Sequence, residues 1–193
     1  KFFFNLLNIL TNNYFFMCWI FAYNWKENSI PFLVEWLRRL EYRGYDSAWI
    51  LAVNKDSEIF LEKEVWKVSN LASKINKNPK KEWLYCNWIA HTRWATHWKV
   101  TLENTHPHQS QNWRFFIVHN WIIENYFTIK KELEKKYKFY SETDTEVVAK
   151  LFEELYDWDL HSTLEKVTKQ IVWAYAIAVI DRENPDVLIW AKL

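Results

Sequence analysis

Apolar residues recur along this chain with two different periods. Ile30, Leu33, Val34, Leu37 and Leu40 fall at helical spacing and give one apolar face. Ser29 and Pro31 supply a start signal for that helix. Val147, Val148, Leu151, Phe152 and Leu155 repeat the pattern, behind a Thr143 and Glu146 pair spaced as a capping box. Short apolar runs instead predict strands over 18–23, 48–53, 58–62, 84–91, 115–119, 174–180 and 187–189. Further helices are expected over 68–75, 129–137 and 162–171, with an exposed loop at 77–81 and a polar loop at 102–112. Strands and helices come in clusters, not in strict alternation, and no repeat or linker interrupts them. That order predicts an α+β architecture in layers.

The length of 193 residues is about one domain and allows a sizeable core. A net charge of +1, with acids and bases interspersed, offers no basic face for nucleic acid. Two cysteines, Cys18 and Cys86, make no disulfide framework and suit a reducing cytoplasm, with Cys86 an inert core thiol. No apolar run reaches the roughly 20 residues a membrane helix needs.

One feature of the composition is abnormal. The chain has a single glycine, Gly44, against 14 tryptophans, where ordinary chains carry about 7% glycine. Asn24-Trp25, Asn120-Trp121 and Asp157-Trp158 stand where Asn-Gly or Asp-Gly would signal a turn. Some uncultured bacterial lineages read the UGA codon as glycine, and a commonly used translation table reads it as tryptophan. The expectation is that most of these tryptophans are glycine in the native protein.

Met17 followed by Cys18 carries candidate chemistry. If Met17 is the true start and is removed, Cys18 bears both a thiol and a free α-amine. That amine has an ordinary pKa of roughly 7.7–8.0 and can serve as base for its own side chain. Residues 1–16 are then expected to be mistranslated upstream sequence, because asparagines interrupt their apolar run and no small-residue cleavage site follows.

Five motifs in order carry a resemblance: Leu-Glu-Tyr-Arg-Gly-Tyr-Asp-Ser-Ala at 40–48, His-Thr-Arg-Trp-Ala-Thr-His at 91–97, Asn-Thr-His-Pro-His at 104–108, Val-His-Asn at 118–120 with Ile-Ile-Glu-Asn at 122–125, and Ser-Glu-Thr-Asp-Thr-Glu at 141–146. Over 17–193 the chain resembles the glutaminase domain of the glutamine–fructose-6-phosphate aminotransferase (glucosamine-6-phosphate synthase) family. The resemblance implies an N-terminal nucleophile hydrolase, a four-layer αββα sandwich of two antiparallel sheets. It implies a class II glutamine amidotransferase domain, short of its C-terminus and without the sugar-isomerase domains that bind fructose 6-phosphate. The family has glycine where this chain has Trp19, Trp36, Trp49, Trp66, Trp98, Trp121 and Trp173, and a true tryptophan at Trp94. Thirteen of the fourteen, all but Trp94, are therefore expected to be glycine.

Roles follow from the same resemblance. Cys18 attacks the γ-amide of L-glutamine to give a thioester and ammonia, and water releases glutamate. The Asn120 side-chain amide and the backbone N–H of Trp121 match the oxyanion donors. Arg93 fits the α-carboxylate, which a guanidinium binds bidentately, with Trp94, Thr96 and His97 lining the same pocket. Asp144 fits the α-ammonium; support of a helix N-terminus is its plain alternative. Arg43 and Gly44 are expected to support the nucleophile. No cofactor is implied, and His91, His97, His106, His108 and His119 fit no common zinc spacing. The implied partners are L-glutamine, fructose 6-phosphate through the further domains, and a second copy in a homodimer, with no nucleic acid or membrane. The alternatives are another class II amidotransferase, such as amidophosphoribosyltransferase, and a non-catalytic glutaminase-like interaction module.

Overall fold

The computed structural model describes residues 4–5, 19–24, 30–43, 45–82, 87–93, 98–172 and 175–193. Two compact units divide the chain, Lys1–Thr105 and His106–Leu193. The first has strands β1 (Phe4–Asn5), β2 (Trp19–Asn24), β3 (Ser47–Val53), β4 (Ile59–Val65) and β5 (Asn87–Arg93), with helices α1 (Ile30–Leu40) and α2 (Val68–Lys77). Its strands form one antiparallel sheet in the order β1-β2-β5-β3-β4. Every residue of β3 is buried. Ala48, Ile50 and Ala52 share a core with Ile30, Leu33 and Leu37 of α1, Leu71 and Ile75 of α2, and Trp88 of β5. Trp49, Leu51 and Val53, between them in sequence, are equally buried. A strand covered on both faces reads as an unbroken apolar run, which is why 48–53 is legible. Phe4 and Asn5, within the segment expected to be upstream sequence, pair with Ala22 and Phe21.

The second unit has strands β6 (His108–Gln109), β7 (Phe115–Asn120), β8 (Ala176–Asp181) and β9 (Leu188–Lys192), with helices α3 (Tyr126–Leu133), α4 (Asp144–Leu155) and α5 (Leu160–Gln170). Its sheet is antiparallel in the order β6-β7-β8-β9. Phe115 and Ile117 of β7 and Ile177 and Val179 of β8 meet Val147, Val148, Leu151 and Phe152 of α4 and Leu164 and Val167 of α5. Burial of each such side chain contributes roughly 1.5–3 kcal/mol. Arg114 grips the buried Asp181 through Nε at 2.9 Å and Nη2 at 2.8 Å, fixing the far end of the β7–β8 ladder.

Several elements differ from the sequence expectation. Helix α3 covers 126–133, not 129–137, and ends in a turn where the N–H groups of Lys136 and Tyr137 both reach the Leu133 carbonyl. Only Leu133 is buried on it, so its charged stretch offers no apolar face to mark the ends. Thr143 is the N-cap of α4, but the reciprocal capping box is not formed. The Thr143 hydroxyl bonds His108 Nε2 instead, at 2.9 Å. Helix α2 runs through Lys77, and Pro79–Glu82 forms a 3-10 turn where a loop was expected. Strand β4 continues to Val65 and β5 to Arg93, while residues 84–86 of the expected strand lie outside the described residues. The expected polar loop at 102–112 contains β6, and its Asn104, Thr105, His106, His108 and Ser110 are buried. Cys86 and Trp25 lie outside the described residues.

The backbone singles out four tryptophans. Trp66 (φ 76°), Trp113 (φ 60°), Trp121 (φ 90°) and Trp158 (φ 72°) adopt positive φ, as does Ser57 (φ 60°). All four tryptophans sit in connections between elements, and all four side chains are exposed. A bulky residue held there costs roughly 1–3 kcal/mol, whereas glycine pays no Cβ penalty. Trp49 and Trp88 are different: both lie inside strands and are wholly buried, and Trp49 Nε1–H donates to His91 Nδ1 at 3.2 Å. Substituting Trp66→Gly or Trp158→Gly in this sequence is expected to raise stability by about 1 kcal/mol each. Trp88→Ala, which empties a core site, is expected to cost roughly 3–5 kcal/mol. Urea unfolding midpoints of the three variants check both signs.

Candidate functional site

The expected site residues fall in both units. Cys18, Gly44, Trp94, Thr96 and His97 lie outside the described residues. Arg93 closes β5, where its backbone stands opposite Ser47, and Arg43 ends the 3-10 turn Glu41–Arg43 that follows α1. Trp19, next in sequence to Cys18, stands opposite Thr92, the neighbour of Arg93. In the second unit the structure brings together Asn120, Trp121 and Asp144.

Asn120 ends β7 and is buried. Its Oδ1 accepts the Trp121 N–H at 3.1 Å. The two groups expected to donate to an oxyanion are thus bonded to each other, and presenting the Trp121 N–H to a substrate requires that bond to open. Directly after this N–H the backbone turns left-handed, with φ 90° at Trp121.

Asp144 is the first residue of α4, and its buried carboxylate accepts the Ile123 N–H through Oδ2 at 2.9 Å. It therefore clasps the segment leaving β7, a task beyond support of its own helix. Strand alternation sends His119 to the opposite face of β7 from Asn120, toward α4, where its Nδ1 lies 3.2 Å from Thr145 Oγ1 and 3.9 Å from Asp144 Oδ2. Thr145 Oγ1 also meets His106 Nε2 at 2.9 Å. Burial holds the His119 imidazole below its usual pKa, against the smaller opposing pull of Asp144. His119 is accordingly neutral beside the carboxylate.

A second buried cluster frames the same helix terminus. The Glu146 carboxylate accepts the N–H groups of Tyr140 (3.1 Å) and Ser141 (2.7 Å) and the Ser141 hydroxyl (2.8 Å). Lys150, one turn on, lies 3.8 Å from Glu146 and donates to the Gln109 carbonyl at 3.2 Å. Burial pushes the Lys150 amine down, and Glu146 pulls it back up. Sequence reasoning weighed His106, His108 and His119 only as metal ligands and left Thr143, Thr145, Glu146 and Lys150 without a place at the site. Each histidine instead meets a threonine hydroxyl. Two threonines one turn-position either side of Asp144, with Glu146 and Lys150 at i, i+4, were the available signal.

Comparison with known proteins assigns the class. A glutamine amidotransferase domain model matches residues 91–192, just over half of the chain. The chain belongs to the glutamine amidotransferase domain family. Among curated proteins, it is 51% identical to the glutamine–fructose-6-phosphate aminotransferase [isomerizing] of Fusobacterium nucleatum, over 91% of this chain and 29% of that protein. It is 43% identical to the enzyme of the same name from Caldanaerobacter subterraneus, over 91% of this chain and 28% of that protein. The chain thus spans under a third of the length of these relatives. Among solved structures, the glutamine phosphoribosylpyrophosphate amidotransferase of B. subtilis matches with a TM-score of 0.68 at 24% identity, over 86% of this chain and 35% of that one. The allosteric regulatory enzyme of purine biosynthesis matches with a TM-score of 0.69, also at 24% identity, over 84% of this chain and 35% of that one. Both likenesses bear on the fold, which agrees with the expected α+β arrangement of two antiparallel sheets with helices.

The Glu146 cluster generates a prediction of its own. Glu146→Ala strands a buried ammonium, which costs roughly 3–5 kcal/mol. The double variant Glu146→Ala/Lys150→Met removes both charges and is expected to recover at least half of that loss. Chemical denaturation of the single and double variants measures the difference.

Proposed function

We propose that this chain is the glutaminase part of a glutamine–fructose-6-phosphate aminotransferase, hydrolysing L-glutamine and passing ammonia on for the synthesis of glucosamine 6-phosphate. The single observation that carries the reading is the 51% identity to the Fusobacterium nucleatum enzyme across 91% of this chain. Fructose 6-phosphate is bound by the further domains of a longer polypeptide, which acts as a homodimer in the cytoplasm. Among the described residues, no helix is long and apolar enough to cross a membrane.

In this reading Cys18 is the nucleophile and its own α-amine the base, so the working enzyme begins at Cys18. Arg93 takes the α-carboxylate of glutamine, in a pocket shared with Trp94, Thr96 and His97, and Arg43 and Gly44 support the nucleophile. Asp144 takes the α-ammonium, and its fixed carboxylate beside a neutral imidazole suits that charge. The Asn120 amide and the Trp121 N–H stabilise the oxyanion once their mutual bond opens. In the full natural polypeptide, Cys18→Ala is expected to abolish glutamate release from glutamine. Arg93→Ala and Asp144→Ala are expected to weaken apparent glutamine affinity by tenfold or more, since a charge-assisted hydrogen bond is worth about 1.5–3 kcal/mol. Full glutaminase activity in the Cys18→Ala protein refutes the thiol mechanism.

We also propose that the thirteen tryptophans other than Trp94 are glycine in the native protein. The support is that, among the described residues, four of the five positive-φ residues other than glycine are tryptophan. Peptides spanning positions 98 and 121, taken from the native source, are expected to carry the mass of glycine there by mass spectrometry. The mass of tryptophan at either position overturns the proposal.

A further inference from the structure

The buried histidine of β7 takes no step in the chemistry above, yet its surroundings are closely specified. His119 is 2% exposed, and among the described residues nothing bonds its Nε2. Its other nitrogen faces Thr145 Oγ1 at 3.2 Å and Asp144 Oδ2 at 3.9 Å. A buried N–H without a partner costs more than a bare lone pair, so the proton sits on Nδ1. Thr145 has one hydroxyl proton. Accepting from His119 Nδ1–H, it points its own proton at Asp144 Oδ1, 3.5 Å away, while His106 Nε2 meets the same hydroxyl oxygen at 2.9 Å. The proton order His119 Nδ1–H, Thr145 Oγ1–H, Asp144 Oδ1 thus has one direction. It turns the positive end of the His119 dipole toward the Asp144 carboxylate, whose other firm contact is the Ile123 N–H at 2.9 Å.

We propose that His119 is a positioning residue for glutamine: its neutral Nδ1–H and the Thr145 hydroxyl hold the Asp144 carboxylate in place for the α-ammonium group. The inference rests on the glutaminase reading above. Neutrality is the essential property. An imidazolium 3.9 Å from Asp144 would offset the negative charge that the substrate ammonium needs. Burial supplies that neutrality; the carboxylate facing the ring is Asp144, and the other titratable group reached through Thr145 is His106. Because His119 and Asn120 project to opposite faces of β7, His119 acts on binding and leaves the oxyanion donors alone.

The test is steady-state glutamine hydrolysis by the full natural polypeptide and three variants. His119→Leu, which removes the Nδ1 donor, is expected to raise KM for glutamine about tenfold or more, with kcat within about threefold. Thr145→Val is expected to do the same. His119→Asn, whose amide N–H stands near the position of Nδ1–H, is expected to bring KM back to within about threefold of wild type. A structural role alone would lower the melting temperature without this split and without rescue by asparagine. In parallel, ¹⁵N NMR of the wild-type ring is expected to show the Nδ1–H neutral tautomer at pH 6, whatever the variants do on folding. Unchanged KM in His119→Leu, equal loss of kcat and KM in all three variants, or a charged His119 at pH 6 overturns the inference. A wild-type protein that releases no glutamate from glutamine overturns the functional reading first and this inference with it.

Discussion

The hydrogen bond from the Ile123 N–H to the Asp144 carboxylate is the constraint on which the placement of Asn120, Trp121 and Asp144 within the second unit depends. It joins the segment leaving β7 to the first turn of α4 and so fixes where β7 releases Asn120 and Trp121. Helix α4 is in turn seated on the sheet by Val147, Val148, Leu151 and Phe152 against Phe115 and Ile117. The apolar contacts set the helix axis, and the carboxylate sets what the loop does at its end. Charge placement also agrees with the helix direction, because Asp144 lies in the first turn, where the macrodipole favours an anion.

Burying so many polar groups is costly unless each finds a partner. Around α4 the partners are other side chains: Thr143 with His108, Thr145 with His106 and His119, Glu146 with Ser141, and Lys150 with the Gln109 carbonyl. Such a network is worth having only when nearly every member is satisfied. It gives the 141–146 segment one arrangement where an apolar core would allow several. His119 Nε2 is left bare on a ring that burial keeps uncharged, where a lone pair costs less than an unpartnered N–H.

The sequence made the apolar part of this fold legible and concealed the polar part. Helix α1 and strands β3, β7 and β8 announce themselves by period or by unbroken apolar runs, and the structure places them within a residue or two of expectation. The 102–112 segment reads as a polar loop, yet its His106 and His108 are held inside by the threonines of another segment, and no local pattern shows a partner 35 or more residues away. The Thr143 and Glu146 spacing was correctly read as a helix start, and the partners were wrong for the same reason. Asn120, Trp121 and Asp144 were named through motif resemblance, and the structure gives them one neighbourhood. The bond between Asn120 and Trp121 was beyond any sequence argument, since it depends on a backbone angle.

That angle makes Trp121 the point where composition and chemistry meet. At φ 90° a residue with a Cβ is strained, and here the strained residue carries an indole beside the N–H that an oxyanion would need. The indole is nearly half exposed, so it gains little burial to offset the strain. Glycine at the same place would remove the strain, uncover the N–H and let the peptide unit turn away from Asn120 Oδ1 when substrate arrives. Trp158 and Trp66 share the backbone condition without the chemistry, and Trp49 and Trp88 share neither. In the proposed glutaminase reading, position 121 is therefore where the choice between tryptophan and glycine would bear on the oxyanion donors as well as on folding.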